Sequence, residues 1–218
     1  MTVATDIVKA KAYIWQPKNK SNPKSSDAWM WVHNGLVVFD PAIIEEQLKA
    51  AKKMIGDAKK SNKEILVLCE KTLYKEELEE LAGKANFHFL NHKVPSGVLT
   101  NFDTLLSRIR SLKDLRSFMD GPWFDTLTKK EQSMKKRELK KVEQVYKGVV
   151  NLRKKPDLVV IVDGQYMGKF VLEIQKLGTE AIVLASSDFD KFITQQTVMC
   201  NTNSFSSIDY VLKYIFGQ

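Results

Sequence analysis

A chain of 218 residues, 44% of them hydrophobic, can bury the core of one ordinary domain with an insertion and needs no disulfide staple to do so. Its two cysteines, Cys69 and Cys200, form no C-x-x-C pair and read as buried thiols of a reducing compartment, and no apolar run approaches the roughly 20 residues of a membrane span. The net charge of +8 points to an acidic partner, and its placement is narrow: residues 129–155 hold eleven Lys or Arg against three Glu, which leaves the rest of the chain balanced at 23 against 23.

In chain order, Met1 to Lys11 carries Asp6 and lacks both a signal-peptide core and an arginine-rich bias, so a cytoplasmic product is the expectation. Lys18 to Lys24 (Lys-Asn-Lys-Ser-Asn-Pro-Lys) has no hydrophobic periodicity; Pro17 and Pro23 deny it a helix, and it reads as an exposed basic loop. Trp29 to His33 alternates like a strand, Asn34-Gly35 is a hairpin turn signal, and Leu36 to Phe39 supplies the return strand. Asp40 as cap and Pro41 in the first turn open a helix to about Lys60, with Ile43, Ile44, Gln47, Leu48, Ala51 and Ile55 on one face.

Ile65 to Leu68 is a short continuous apolar run of the kind buried on both faces of a parallel sheet. A second helix, about Tyr74 to Lys84, should end near Gly83, followed by a strand at Phe87 to Leu90. After a long interruption the alternation resumes with Leu158 to Val162, a helix over Met167 to Leu177, strands at Ala181 to Leu184 and Val198 to Cys200, and a C-terminal helix opened by a capping-box variant, Ser206-x-x-Asp209. Strands separated by helices of this length give parallel strands with right-handed crossovers, hence a three-layer α/β sandwich.

The interruption, about Leu99 to Leu152, has another period. Phe102, Leu105, Ile109 and Leu112 are three and four apart, as are Leu139, Val142, Tyr146 and Val149, and Asp120-Gly121-Pro122 marks a turn between the two runs. The expectation is an antiparallel helical hairpin, a coiled coil inserted as an arm over residues 99–152, projecting from a body formed by residues 1–98 and 153–218. Its second helix, capped by Thr128-x-x-Glu131, would carry the eleven basic residues.

Equipment for catalysis is scarce. No G-x-G-x-x-G follows a strand and no P-loop is present; Asp163 could hold a metal, but as a cap for the following helix it needs no such role. His33, His88 and His92 lack metal-ligand spacing with the cysteines, and Ser186-Ser187-Asp188 lacks a nucleophile elbow, so neither a metal nor another cofactor is expected. Trp15, Trp29 and Trp31 flank the basic loop, where they could stack on unpaired bases or fill the core under the hairpin. The alternatives to RNA binding are a nucleotide- or metal-dependent enzyme using Asp163, and a protein-binding adaptor.

Asn91-His92-Lys93-Val94-Pro95-Ser96-Gly97-Val98-Leu99-Thr100-Asn101 resembles the signature of the second small-subunit ribosomal protein, which runs N-H-R-W-x-G-G-x-L-T-N in its bacterial form. Ser111-Leu112-Lys113-Asp114-Leu115, Phe124 through Glu131, Arg137-Glu138-Leu139, Pro156-Asp157 through Val162-Asp163 and Asn22-Pro23-Lys24 extend the resemblance in order through most of the chain. Lys11 to Gln16 departs from it, standing where the family has G-V-H-F-G-H.

The resemblance implies a flavodoxin-like body with a protruding helical hairpin and a structural, non-enzymatic role on small-subunit rRNA. It also implies neighbouring ribosomal proteins as partners, in many bacteria including the mRNA-binding protein numbered one. The ribosome would be cytoplasmic, with an organellar one as the alternative, and no membrane or small-molecule substrate is expected. The residues expected on RNA are Lys18, Lys20, Lys24, Lys93, Arg108, Arg110, Lys135, Lys136, Arg137, Lys140 and Lys141.

Overall fold

The computed structural model describes residues 3–217, without the side chains of Trp15 and Gln16. In chain order the elements are α1 (Val3–Lys9), β1 (Ile14–Pro17), β2 (Trp29–His33), β3 (Leu36–Phe39), α2 (Pro41–Lys60), β4 (Ile65–Leu68), α3 (Lys75–Ala85) and β5 (His88–Leu90). They continue with α4 (Phe102–Met119), α5 (Lys129–Tyr146), β6 (Leu158–Val162), α6 (Gly168–Leu177), β7 (Glu180–Ala185), β8 (Gln196–Met199) and α7 (Phe205–Phe216).

Five strands form one all-parallel sheet in the order β5-β4-β6-β7-β8. Relabelled by their order along the chain this is 2-1-3-4-5, the flavodoxin-like arrangement, with its switch point between β4 and β6. The continuous apolar runs are the reason: every residue of Ile65–Leu68 and Leu158–Val162 is buried, as a strand covered on both faces requires. Helix α7 packs against both α2 and α3, and α6 turns Phe170, Val171 and Ile174 into the core.

The hairpin at β2 and β3 forms as the sequence indicates, with Asn34 at φ 48° and Gly35 at φ 76°, the two positive values of a tight turn. Strand β1 joins it to make a second, three-stranded antiparallel sheet, β1-β3-β2. Neither α1 nor β1 is legible in the sequence. Val37 and Phe39 of β3 enter the main core, so the small sheet is attached through one face.

Several boundaries differ from expectation for local reasons. Helix α3 runs through Gly83 and stops at Asn86, which takes the left-handed φ of 53° that a C-terminal cap needs. Ser206 and Asp209 make no capping box: Ser204 is the cap, Asn201 accepts from its backbone N–H, and Asp209 turns instead to Tyr74 and Lys213. Pro23 does not forbid a helix, because it sits in the first turn of a six-residue 3-10 segment, Pro23–Ala28, where no N–H is required. Asp163 is not the cap of α6. It lies at φ 70°, accepts from the Tyr166 N–H at 3.1 Å, and pairs with Lys71 at 2.6 Å.

Candidate nucleic-acid interface

The segment between β5 and β6 contains the two longest runs of surface helix in the chain after α2. On α4 the periodic residues Phe102, Leu105, Ile109 and Leu112 are all buried, whereas α5 has no buried residue, and Leu139, Val142 and Tyr146 reach only half-burial against it. The first half of α4 belongs to the main core. Beyond it, Leu112 and Phe124 are buried outside that core, with the Phe118 and Phe124 rings edge-on at 6.5 Å.

Local chemistry fixes where α5 begins. Thr128 and Glu131 form a reciprocal capping box, with Glu131 accepting from the Thr128 N–H at 2.9 Å, and Gln132 donates back to the carbonyls of Phe124 and Leu127. The Glu131 carboxyl is held below the ordinary range by the Thr128 hydroxyl and N–H that it accepts from. Arg116 on α4 grips Glu143 on α5 through Nε and Nη2, at 2.8 and 2.7 Å.

The root of the pair is braced twice. On the outbound side, the Glu173 carboxylate of α6 accepts from the backbone N–H groups of Gly97 and Leu99, at 2.7 and 3.1 Å, with Gly97 at φ 82°. On the return, Lys147 pairs with Glu79 at 2.5 Å, and the same Glu79 oxygen accepts from Asn91 at 2.7 Å. Gly148 sits where an added Cβ would lie 2.3 Å from the Phe89 carbonyl. The stretch Asn91 to Asn101 thus holds the root of the helix pair.

The cationic side chains fall into groups. On α5, Lys136, Arg137, Lys140 and Lys141 are exposed and share an arc of about 140° at 100° per residue, which also takes in Lys129 and Lys130 and none of the helix's three Glu. Lys135 lies off this arc, half-buried and paired with Glu138 at 2.9 Å. The helix carries seven of the eleven basic residues, not all of them: Lys147, Arg153, Lys154 and Lys155 follow it, and Lys154 pairs with Asp157 at 2.8 Å. The Asp157 carboxyl is held low chiefly by its hydrogen bond from Lys154.

Arg108 and Arg110 are exposed on α4, and Arg108 lines a groove of about 200 Å³ with Gly97, Asn101 and Tyr146. Lys93 is exposed beside the root. The loop Lys18 to Lys24 belongs elsewhere, pinned to the end of β7: the Asn22 N–H and the Ser25 hydroxyl both donate to the Ser187 carbonyl, at 2.7 and 2.9 Å. Lys24 is partnered by Asp190 at 2.5 Å, whereas Lys18 and Lys20 are exposed and make no ion pair among the described residues. No hydrogen bond or ion pair among the described residues joins this loop to α5.

The tryptophans divide likewise. Trp29 is half-buried against the core with its indole N–H on Ser25, Trp31 faces solvent, and the Trp15 side chain lies outside the described residues. At the far end of the helix pair the sequence reading missed Trp123, 72% exposed, which with Phe118 and Met134 leaves apolar surface in water. Phe118 and Trp123 sit beside other apolar residues, Met119 and Phe124, so their exposure cannot be told from the sequence pattern.

At the sheet's switch point, Asp163 is buried and neutralised by Lys71, which also donates to Asn203. No group of His, Cys, Asp and Glu suited to a metal occurs among the described residues. Burial pushes the Cys69 thiol up to about 11 and the Cys200 thiol to about 12, so both stay protonated and inert at neutral pH.

Against this geometry, the family model described as ribosomal protein S2 matches residues 7–217. The chain belongs to the ribosomal protein S2 family. "Small ribosomal subunit protein uS2" of Coprothermobacter proteolyticus is 27% identical over 217 residues, covering 99% of this chain and 81% of the relative. "Small ribosomal subunit protein uS2c" of Mesostigma viride is 31% identical over 191 residues, 88% of this chain and 84% of the relative. The uS2c protein of Phaeodactylum tricornutum is 28% identical over 203 residues, 93% and 87%. The S2 match runs through the helix pair and both of its braces as well as through the parallel sheet.

Proposed function

We propose that this S2-family chain is a structural, non-enzymatic constituent of the small ribosomal subunit, in which residues 99–152 act as an arm and the sheet fixes its direction. The observation that carries the reading is the cationic stripe of α5, exposed and free of carboxylates. Such a stripe neutralises phosphates and positions the protein, while the shape of folded rRNA supplies specificity. Lys136, Arg137, Lys140 and Lys141 are its centre, with Lys93, Arg108, Arg110, Lys18 and Lys20 as further contacts. Lys24 and Lys135 contribute less, since each already holds a carboxylate.

Neighbouring ribosomal proteins, among them the mRNA-binding protein numbered one, are the proposed protein partners. The exposed Phe118, Trp123 and Met134 surface, beside a groove of about 500 Å³, suits such a contact. The ribosome is proposed to be the cytoplasmic one, in keeping with two unbridged thiols.

The deciding experiment is sedimentation of the tagged chain with purified small subunits, together with the salt dependence of binding to small-subunit rRNA. The chain is expected in the subunit peak, and log affinity is expected to fall linearly with log salt. Replacing Lys136, Arg137, Lys140 and Lys141 by Gln should flatten that slope by about 3, at roughly 0.7–0.9 per phosphate contact. An unchanged slope would remove α5 from the interface.

A further inference from the structure

Among the described residues, one face of the small sheet is left uncovered. Its register sets Ile14, Val38 and Trp31 in one row and Pro17, Leu36 and His33 in the next. Residues two apart in a strand share a face, so Trp31, His33, Leu36 and Val38 line one surface, while Val37 and Phe39 turn the opposite way into the core. The outer surface forms a groove of about 410 Å³ lined by Tyr13, Ile14, Trp31, His33, Leu36 and Val38. Trp31, the largest side chain there, is 53% exposed.

This apolar face continues into a cationic one. The backbone N–H of Lys18 donates to the Gly35 carbonyl at 2.8 Å, which fastens the Lys18–Lys20 turn to the tip of the β2–β3 hairpin, and a second groove there is lined by Pro17, Lys18, Asn19, Asn34, Gly35 and Leu36. Lys18 and Lys20 make no ion pair among the described residues; Asp27 is occupied by Lys191, and Asp40 caps α2 through the Ala42 N–H. An aromatic platform bordered by uncompensated ammonium groups matches the two parts of a nucleotide, a flat apolar base and an anionic phosphate. The loop is pinned by Ser187 before any ligand arrives, so little ordering cost remains for binding.

We infer that the outer face of the β1-β3-β2 sheet is a second RNA contact, which takes an unpaired nucleobase stacked on Trp31 with its flanking phosphates on Lys18 and Lys20. The inference deepens the RNA-binding reading above and rests on it. It differs in kind from the α5 stripe, which reads phosphates alone. The occupant is single-stranded RNA, because the cationic border favours a polyanion over an apolar protein segment.

The test uses the full chain with a short oligouridylate and with small-subunit rRNA, comparing Trp31→Ala, Trp31→Phe and Lys18→Gln with the unaltered protein. Trp31→Ala is expected to weaken oligouridylate binding about tenfold, as loss of one stacked base does, without changing the salt slope. Trp31→Phe should recover most of that loss, Lys18→Gln should lower the slope by about 0.7, and ultraviolet cross-links to rRNA should map to the peptide holding Trp31.

The inference is overturned if Trp31→Ala binds both RNAs as the unaltered chain does, or if cross-links fall only on α4 and α5; in that event the α5 reading stands. Trp31→Ala that keeps its RNA affinity but enters subunits poorly would reveal a protein occupant and also overturn it. Failure of the unaltered chain to bind rRNA at any salt would sink the wider reading too.

Discussion

The parallel sheet and the α4–α5 pair are stabilised by opposite means. In the sheet, β4 and β6 are buried at every position and the apolar interior does the work. In the pair, α5 buries nothing completely, and its position is kept by discrete polar fastenings: a capping box, the Arg116–Glu143 bridge, Lys147 on Glu79 and the Glu173 carboxylate on the backbone of Gly97 and Leu99. The difference shows how one chain can combine an apolar interior with a surface helix that keeps its lysines in water.

The contrast sets an order of expected effects. Ile161→Ala, in the middle of β6, should cost about 2–5 kcal/mol in urea unfolding, the ordinary loss for a buried large side chain. If it costs less than the changes below, burial does not dominate the body. Gly148→Ala should cost about 1–3 kcal/mol, because the new methyl meets the Phe89 backbone and ring, and it should raise proteolysis within 99–152 before the sheet unfolds. Uniform, global loosening would mean that the root is not a separate fastening.

Smaller effects probe the polar fastenings. Thr128→Ala removes the cap of α5 and should cost about 1 kcal/mol, seen as faster amide exchange in the first turn of that helix with the sheet unchanged. The smallest effect concerns Asp157, whose folded pKa is depressed, chiefly by Lys154. A depressed carboxylate stabilises the fold above its ordinary value of 3.8 and loses that contribution as pH falls toward the folded value. Melting temperatures of the unaltered chain and Asp157→Asn should therefore differ slightly at neutral pH and converge below 3.8. A gap that widens on acidification would reverse the assigned sign.

What the sequence makes legible follows the same divide. Ile65–Leu68 and Leu158–Val162 announce themselves because burial on both faces demands an unbroken apolar run, and Asn34-Gly35 because few residues accept two positive φ values. Helix α1 and strand β1 have no such mark, being seven and four residues long. Asn86 rather than Gly83 ends α3, since both residue types tolerate the left-handed region and only the helix's packing chooses between them.

At the interface, spacing alone puts Lys136, Arg137, Lys140 and Lys141 on one side of a helix. Pairing is another matter. Lys24 meets Asp190 across 166 positions of sequence, and Lys147 meets Glu79, so which charges are spent internally depends on the tertiary fold. Nor does spacing show where α5 stops: of the eleven basic residues between 129 and 155, expected together on the second helix, four lie past its end.

The return of the chain at Lys147–Val149 has a consequence for solubility. Strand β5 is an outermost strand of the parallel sheet; its Leu90 carbonyl accepts from Cys69 toward β4, so by alternation the Phe89 carbonyl points the other way, and Gly148 lies against it. A naked row of backbone groups would invite a strand from a second molecule. The homeward segment occupies that place like a selvedge on cloth, so excising residues 99–152 would do more than shorten the molecule: it would open the border of the sheet to self-association.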